Sequence, residues 1–451
     1  MKITLQTAEA IYHAGLLDPD GPHRLHYLPI MKVYKFGGAS TNSLERIKNV
    51  AEIVRARGDE KVLVVVSAMG KTTNALEAVV NAFFEGKQAE ALQLFDNIRQ
   101  SHLNTLKYLT SLQWQAADNQ LKDFFTEIEW LLHDKPVRSY DYYYDQVVCC
   151  GELFSSSLLY HHFREEKIDA GWIDVRDIIR TDNNFRDAGV DWVYTEKSIR
   201  ETVLPLFNAH NVVITQGYIG ATDENESTTL GREGSDYSAA IFANLLPAES
   251  VTIWKDVDAV MNADPKHFPA AVVMHELSYT EVIEMAYYGA QVIHPKTIKP
   301  LQNKRIPLFV KSFLDPALPG TIINEKGAKN LPPIIVIKDN QVLMQFKSKD
   351  FSFVEDEPVE QLDHLFKEIK IKANLSQNTA ISLLSCIDDH AEKIAALALA
   401  ADIYFDVEVE RNLTLLTIRH YNEESIKELT VGKVIVLEQK TLQTVQLLMR
   451  S

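Results

Sequence analysis

The sequence predicts an α/β protein, built as a three-layer αβα sandwich and followed by a smaller α+β module. Two observations lead to this prediction. Buried strand patterns alternate with helical patterns as far as about residue 323, which is typical of a largely parallel sheet covered by helices. After the turn-forming stretch Leu331-Pro332-Pro333, the order of elements changes to βαββαβ, which is the order of a ferredoxin-like module.

Composition narrows the possible functions. The chain has 451 residues, which is enough for two or three domains. Its formal net charge of −16 argues against a general nucleic-acid or anionic-membrane binder, because either would need a basic face. No apolar run is long enough to span a bilayer, and we expect a cytoplasmic protein. The three cysteines are too few for a disulfide framework or a zinc site, so we interpret them as buried, reduced thiols.

Residues 1–30 differ in character from the rest of the chain. They contain three prolines and little periodicity, and they lack the basic start and long apolar core of a signal peptide. Met31 stands directly before the first strand pattern. We therefore predict that residues 1–30 are a non-native start or a disordered arm, that the α/β domain covers residues 31–323, and that the second region covers residues 334–451.

The first strand pattern, Lys32 to Phe36, runs directly into Gly37-Gly38. Glycine lets backbone N–H groups approach a ligand closely, since it has no Cβ atom. A helix N-terminus comes next, and its free N–H groups together with Lys35 suit a phosphate group. For the glycine pair alone, an ordinary strand–turn–helix is the simpler interpretation.

A second strand pattern, Lys61 to Val66, leads into a hydroxyl-rich loop that contains Ser67 and Thr73. Ligands bind at the carboxyl ends of strands in open α/β sheets, although helix capping explains these hydroxyls equally well. Glu152 falls in the first turn of a later helix. A carboxylate there either interacts with the helix dipole or binds an ammonium group.

Two later loops also come after strand patterns. The first carries Arg232 and Asp236; the planar fork of arginine suits a carboxylate or phosphate, and a structural salt bridge is the alternative. The second, residues 255–266, contains three aspartates whose spacing does not match a calcium loop, so a nucleotide-contacting loop is the better hypothesis. A tyrosine run at residues 140–144 is interpreted as packing. The pattern also predicts a polar loop at residues 221–234 and a helix from Leu277 to Tyr288.

Several of these stretches, taken together, resemble the aspartate kinases (aspartokinases) of the amino acid kinase family. They are Lys35-Phe36-Gly37-Gly38-Ala39-Ser40, Gly151-Glu152-Leu153, and the strand Ile214–Gly220 with the loop Thr228–Tyr237. The resemblance covers residues 31–323 closely and implies the amino acid kinase fold and a catalytic domain there. Residues 334–451 resemble ACT regulatory domains much more loosely.

The resemblance implies a reaction and its partners. ATP would phosphorylate the side-chain carboxylate of L-aspartate to give 4-phospho-L-aspartate, the first step toward lysine, threonine and methionine. ATP and Mg²⁺ are the implied cofactors, with magnesium carried by the phosphates and no dedicated metal site on the protein. A homodimer or higher homo-oligomer, formed through the ACT-like region, is also implied.

The resemblance also implies roles for individual residues. The implied catalytic pair is Lys35, which would neutralise the transferred phosphoryl group, and Asp236, which would orient the reacting groups. The implied substrate-binding residues are Ser67, Thr73, Glu152, Arg232 and Ser235, with Glu152 on the α-ammonium group of aspartate. The implied nucleotide-binding residues are Lys35, Gly37, Gly38, Lys255, Asp256, Met261, Lys266 and Gln291.

The sequence departs from the family pattern at several positions. Ala39, Lys255, Met261 and Gln291 stand where threonine, threonine, tyrosine and lysine are common, so the affinity for ATP is not predicted. The stretch Phe353–Pro358 lacks the glycine usual in the effector loop. The second ACT module looks truncated, with its strands present and its helices missing. We therefore expect weak or no inhibition by lysine or threonine.

Two alternatives remain at this point. The first is another enzyme of the same fold, such as an acetylglutamate, glutamate 5- or uridylate kinase. The second is a catalytically inactive amino-acid sensor that uses the ACT-like region. The Gly151-Glu152-Leu153 helix and the long helical segment at residues 76–134 disfavour the first, and the retained Lys35, Glu152, Arg232 and Asp236 disfavour the second.

Overall fold

A computed structural model of the chain describes residues 31–349 and 357–450. The predicted extension at residues 1–30 and the effector-loop stretch at residues 353–356 lie outside these ranges. The chain divides into two compact units. The first runs up to Asp256 and includes Asn303–Phe309, and the second consists of Val257–Gln302 together with the residues from Val310 onward. The predicted domain limits at residues 31, 323 and 334 stay a prediction.

The strands alternate with helices through the first unit and become more frequent in the second. The strands are β1 (Met31–Phe36), β2 (Lys61–Val66), β3 (Ala170–Trp172), β4 (Val212–Gln216), β5 (Ile219–Ala221), β6 (Ser227–Thr229), β7 (Ala248–Lys255), β8 (Glu276–Ser278), β9 (Leu308–Ser312), β10 (Thr321–Asn324), β11 (Ile334–Ser348), β12 (Ala373–Asn378), β13 (Ser382–Asp388), β14 (Phe405–Arg419), β15 (Val434–Lys440) and β16 (Thr444–Arg450).

The α-helices of the described residues are α1 (Leu44–Arg55), α2 (Thr72–Phe84), α3 (Gln88–Leu109), α4 (Trp114–His133), α5 (Tyr140–Val148), α6 (Cys150–Glu165), α7 (Trp192–Ser198), α8 (Leu204–Ala209), α9 (Gly234–Leu245), α10 (Tyr279–Tyr288), α11 (Pro295–Lys304), α12 (Glu357–Glu368), α13 (Ala391–Ala401) and α14 (Glu423–Leu429). Within the described part of the chain, no helix has the length and apolar character needed to cross a bilayer.

The first unit is organised around a parallel sheet. Its strands lie in the order β3-β4-β2-β1-β7, and each neighbouring pair is parallel. The central strand β2 is buried from Val62 to Val66. Such continuous apolar burial is what a parallel strand requires when both of its faces are covered. The predicted α/β class is confirmed.

The cysteines are buried, free thiols, as predicted; they are Cys149, Cys150 and Cys386.

The second unit contains a six-stranded sheet in the order β12-β13-β11-β14-β16-β15. Alternate residues of β11 face opposite sides: Phe346 packs in a cluster with helix residues such as Leu362, whereas Leu343 packs in a separate cluster with Leu415. The sequence β11-α12-β12-β13-α13-β14 confirms the predicted βαββαβ order.

Three predictions about local structure are wrong. Helix α14 lies in the second module, where the sequence predicted none, and its N-terminus is capped by Asn422, which accepts from the Ser425 N–H. The predicted loop at residues 221–234 contains strand β6, which pairs with β5 in an antiparallel hairpin. The helix predicted to begin at Leu277 starts at Tyr279, because Leu277 is a strand residue and Ser278 caps the helix.

A buried ion pair joins α10 to the end of β14 within the second unit. Arg419 Nε and Nη2 donate to the two carboxylate oxygens of Glu281 at 2.7 and 3.0 Å. Both side chains are less than 10% exposed, and His420 Nε2 lies 3.0 Å from the same carboxylate. Burial raises the pKa of Glu281, but the hydrogen bonds from Arg419 and His420 outweigh burial and leave that pKa below its usual value.

Removing one partner of this pair should destabilise the second unit. We expect Arg419→Met to lower the unfolding free energy by about 3–5 kcal/mol, because the buried Glu281 then loses its two arginine hydrogen bonds and keeps only His420 as a partner. Arg450→Met, which breaks an exposed pair with Glu410, should cost less than about 1 kcal/mol. Urea unfolding measures both. The stability that the ionised Glu281 contributes to the wild type should be full above pH 4.5 and should be lost as the pH falls through the lowered pKa of Glu281. Equal effects of the two substitutions would contradict this account.

Candidate active site

A cavity of about 490 Å³ opens in the first unit, where β1, β2 and β4 end. The carboxyl ends of parallel strands meet at one edge of a sheet, which is where ligands bind in open α/β folds. The predicted site residues that line this cavity are Lys35, Gly38, Ser67, Thr73, Glu152, Arg232, Ser235 and Asp236. Residues far apart in the sequence, including both members of the predicted catalytic pair, are thus brought together.

Lys35 and Asp236 form an ion pair across the cavity wall. Lys35 lies near the end of β1, Asp236 lies in the first turn of α9, and Lys35 Nζ is 2.7 Å from Asp236 Oδ1. The side chains are only 12% and 5% exposed. Water screens such a pair weakly, so the carboxylate holds the ammonium group in one position.

Glu152 is a buried acid in the first turn of α6. Its Oε1 accepts a hydrogen bond from the Ala68 N–H at 3.1 Å, and its Oε2 has no partner among the described residues. Burial raises the pKa of Glu152 to about 8, although the Ala68 N–H and the charge of Lys35 oppose this shift. At neutral pH the carboxyl group of Glu152 is therefore mostly protonated, and a cationic ligand beside it would favour its ionised form.

The loop after β2 is fixed against two neighbouring elements. The Ser155 hydroxyl, on α6, donates to the Ser67 carbonyl oxygen at 2.6 Å. The Gly70 N–H donates to the Gly38 carbonyl oxygen at 3.0 Å. A Cβ atom on Gly38 would lie 2.7 Å from the Ala68 carbonyl oxygen, so only glycine fits this position without moving the backbone. The glycine is needed here for a close approach between two loops.

Helix α9 begins at the cavity. Its first residues, Gly234, Ser235 and Asp236, line the wall, and the preceding Glu233 has a left-handed backbone with φ of 53°. A Cβ atom on Gly217, just after β4, would lie 2.6 Å from the Ser235 Cβ atom, so the strand end and the helix start pack closely. The positive end of the helix dipole at this position favours an anionic ligand.

Other predicted residues do not line this cavity. Gly37 lies beside it, since a Cβ atom on Gly37 would be 3.4 Å from Lys35 Nζ. Lys255 and Asp256 lie at and just after the end of β7. Met261, Lys266 and Gln291 belong to the second unit. The predicted nucleotide contacts of these residues stay predictions.

Among the cavity residues that sequence reasoning did not assign to the site are Tyr144, Arg186 and Tyr218. Tyr144 belongs to the tyrosine run that we interpreted as packing, and its ring is indeed buried, but it also forms part of the cavity wall. Arg186 and Tyr218 have left-handed backbones, with φ of 70° and 71°. Non-glycine residues in this region are strained and occur often at functional sites. No motif in the sequence indicated that strain.

Among the described residues, no group of three or more His, Cys, Asp or Glu side chains is arranged to hold a metal ion. The expectation that magnesium is carried by nucleotide phosphates remains a prediction.

Replacing Glu152 should make the protein more stable at alkaline pH. The folded state binds a proton at Glu152 up to about pH 8, whereas the unfolded state loses it near pH 4.5. Wild-type stability should therefore fall with rising pH between these values, by at most about 1.4 kcal/mol per pH unit from this group. We expect Glu152→Gln to remove that slope in urea unfolding measured from pH 5 to 9.

The exposed Glu90 on α3 offers a matched control for this experiment. Glu90→Gln should leave the pH dependence of the unfolding free energy as it is in the wild type. If Glu152→Gln destabilises the protein equally at pH 5 and pH 9, the raised pKa of Glu152 is wrong.

Comparison with known proteins identifies the family of this chain. The model of the amino acid kinase family matches residues 31–312. Lysine-sensitive aspartokinase 3 of Escherichia coli is 34% identical over 319 residues, which cover 70% of this chain and 69% of that protein. The chloroplastic bifunctional aspartokinase/homoserine dehydrogenase 1 of Zea mays is 35% identical over 322 residues. These residues cover 70% of this chain but only 35% of the Zea mays protein, so the chain spans about a third of that relative.

A solved structure agrees with the sequence matches. The structure of E. coli aspartokinase III in complex with aspartate and ADP has a TM-score of 0.76 and 27% sequence identity. The match covers 93% of this chain and 96% of that one, so the likeness extends beyond the residues of the family model. The chain therefore belongs to the amino acid kinase family and, within it, to the aspartokinases.

Proposed function

We propose that this chain transfers the γ-phosphoryl group of ATP to the side-chain carboxylate of L-aspartate. One observation carries the proposal: Lys35, Glu152, Arg232 and Asp236 line a single cavity at the carboxyl ends of the parallel strands. This set offers cations for carboxylate and phosphate groups and an acid for an ammonium group. The likeness to an aspartokinase whose structure holds aspartate and ADP supports the same substrates.

The chemical step is a direct displacement at phosphorus. A side-chain carboxylate oxygen of aspartate attacks the γ-phosphorus, and the bond from that phosphorus to the bridging oxygen breaks. ADP leaves with the electron pair, and 4-phospho-L-aspartate forms. No proton has to be removed from the nucleophile, because the carboxylate is already ionised at neutral pH. Catalysis therefore depends on positioning and on neutralising negative charge.

The residues of the cavity divide these tasks. Lys35, held by Asp236, supplies a fixed positive charge to the transferred phosphoryl group. The N–H groups near Gly38 and at the start of α9 suit the remaining negative oxygens. Glu152 pairs with the α-ammonium group, and Arg232 binds a carboxylate. Ser67, Thr73 and Ser235 offer hydroxyl groups to the amino acid.

The nucleotide side of the proposal rests on the resemblance alone. We assign nucleotide contacts to Gly37, Lys255, Asp256, Met261, Lys266 and Gln291. A bound Mg²⁺ ion would supply charge neutralisation at the β- and γ-phosphates.

We also propose that the second unit supports self-association. Its edge strand β15 exposes the apolar Val434 and Ile435, which would suit contact with another copy.

Substitution of Lys35 tests the proposal. We expect Lys35→Met to lower ADP release from ATP and aspartate by at least about a hundredfold, because a pre-positioned charge at the reacting group is lost. Lys32→Met is the matched control, since Lys32 lies on the same strand but pairs with Glu60 at its surface. This control should keep wild-type activity in a coupled ADP assay. Similar rates for the two variants would refute the catalytic role of Lys35.

Aspartate binding should release a proton at neutral pH. Since burial raises the pKa of Glu152 to about 8, most molecules carry this proton at pH 7. An ammonium group placed beside the carboxyl favours its ionised form. Calorimetric titration with aspartate in two buffers of different ionisation enthalpy should show net proton release at pH 7 and much less at pH 9. Binding without proton release at pH 7 would contradict the pairing of Glu152 with the ammonium group.

A further inference from the structure

The cavity has a second arginine that belongs to none of the aspartokinase-like motifs. Arg186 and Arg232 both line the cavity wall. Arg186 lies in the loop between Thr181 and Val190, which are joined by an isolated β-bridge. Lys35, the third cation of the wall, is paired with the nearly buried Asp236. Two guanidinium groups are therefore placed to meet a negative group in the cavity, and the motifs account for only one of them.

The backbone of Arg186 is held in a strained conformation. Its φ of 70° is in the left-handed region, which an arginine rarely adopts. Its N–H donates at 2.9 Å to the carboxylate of Asp145, and this carboxylate is fully buried. The same carboxylate accepts from the N–H and the hydroxyl of Thr229 at 2.8 and 2.7 Å. A buried network thus keeps the strained residue at the cavity, as is common for functional positions.

The side chain of Arg186 is held by two contacts, and a ligand can replace one of them. Its guanidinium carbon lies 4.4 Å from the ring centroid of Tyr144, which is itself a buried residue of the cavity wall. Nη1 lies 3.2 Å from Asp141, and these two side chains are 43% and 55% exposed. Such an exposed ion pair contributes little stability, so an anionic ligand can replace it at small cost. The planar fork that remains is suited to a carboxylate.

We propose that Arg186 determines specificity by binding the α-carboxylate of the amino acid substrate together with Arg232. The inference rests on the proposed function. In that function Lys35 serves the reacting carboxylate and phosphoryl group, and Glu152 serves the ammonium group. The α-carboxylate is the remaining charged group of aspartate, and a pair of arginines would distinguish it from an uncharged amide.

Arg186→Gly tests this role with little disturbance of the fold. Glycine adopts the left-handed backbone without strain and keeps the N–H that Asp145 binds, so that only the side chain is lost. We expect the KM for aspartate to rise about tenfold, with kcat and the KM for ATP changed less than about twofold. Preference for aspartate over L-isoasparagine, whose α-carboxylate is an amide, should fall by about the same factor of ten.

Arg305→Gly is the matched control. Arg305 is also an arginine with a left-handed backbone, φ of 56°, and it lies in the first unit but not on the cavity wall. This control should keep the wild-type KM for aspartate and the wild-type preference. Arg186→Lys should regain part of the lost affinity, because it restores the charge without the planar fork.

Several outcomes would overturn the inference. An unchanged KM for aspartate, an unchanged preference over isoasparagine, or a loss confined to kcat would each assign Arg186 another role. Thermal unfolding of both glycine variants shows whether a change merely reflects loss of structure. A wild type that releases ADP with aspartate separates failure of this inference from failure of the proposed function. A wild type without that activity would refute both.

Discussion

The ion pair between Lys35 and Asp236 is the contact on which the candidate site depends. It joins the end of β1 to the first turn of α9 at 2.7 Å, and it lies almost out of water. A free lysine side chain would sample many positions, and a lysine without its carboxylate would be a poorly solvated buried charge. With the pair in place, a fixed cation faces a cavity that Glu152 also lines. Catalysis of phosphoryl transfer depends on positioned charge of this kind.

The site also has a cost for stability. Glu152 is buried with one oxygen unpartnered among the described residues, and its raised pKa means that ionising this carboxyl group is unfavourable. Arg186, Tyr218 and Glu233 hold left-handed backbones around the same cavity. Neither feature is explained by packing alone, since apolar residues and glycines would be more stable at these positions. A substrate that carries both an ammonium group and carboxylates would make use of both features, which connects the local instability to binding.

The sequence predicted those elements that a pattern of neighbouring residues is sufficient to identify. The buried run Val62–Val66 and the βαββαβ rhythm identified both sheets, because burial and strand period are encoded in neighbouring residues. The motif residues Lys35, Glu152, Arg232 and Asp236 were predicted and do meet in one cavity. Arg186 and Tyr144 could not be found in this way. Their place on the wall depends on a positive φ and on a buried hydrogen bond to Asp145, both of which arise only from tertiary contacts. Helix α14 was missed because it is short and lacks a fully buried residue.

The chemical identity of the product tests the central claim most directly. The full chain, supplied with ATP, Mg²⁺, L-aspartate and hydroxylamine, should form aspartyl hydroxamate in an amount equal to the ADP released, because hydroxylamine traps an acyl phosphate. Glutamate, N-acetylglutamate or UMP in place of aspartate should release little ADP. The account would be contradicted by ADP release with aspartate that yields no hydroxamate, by a clear preference for one of the other acceptors, or by no turnover of aspartate at all.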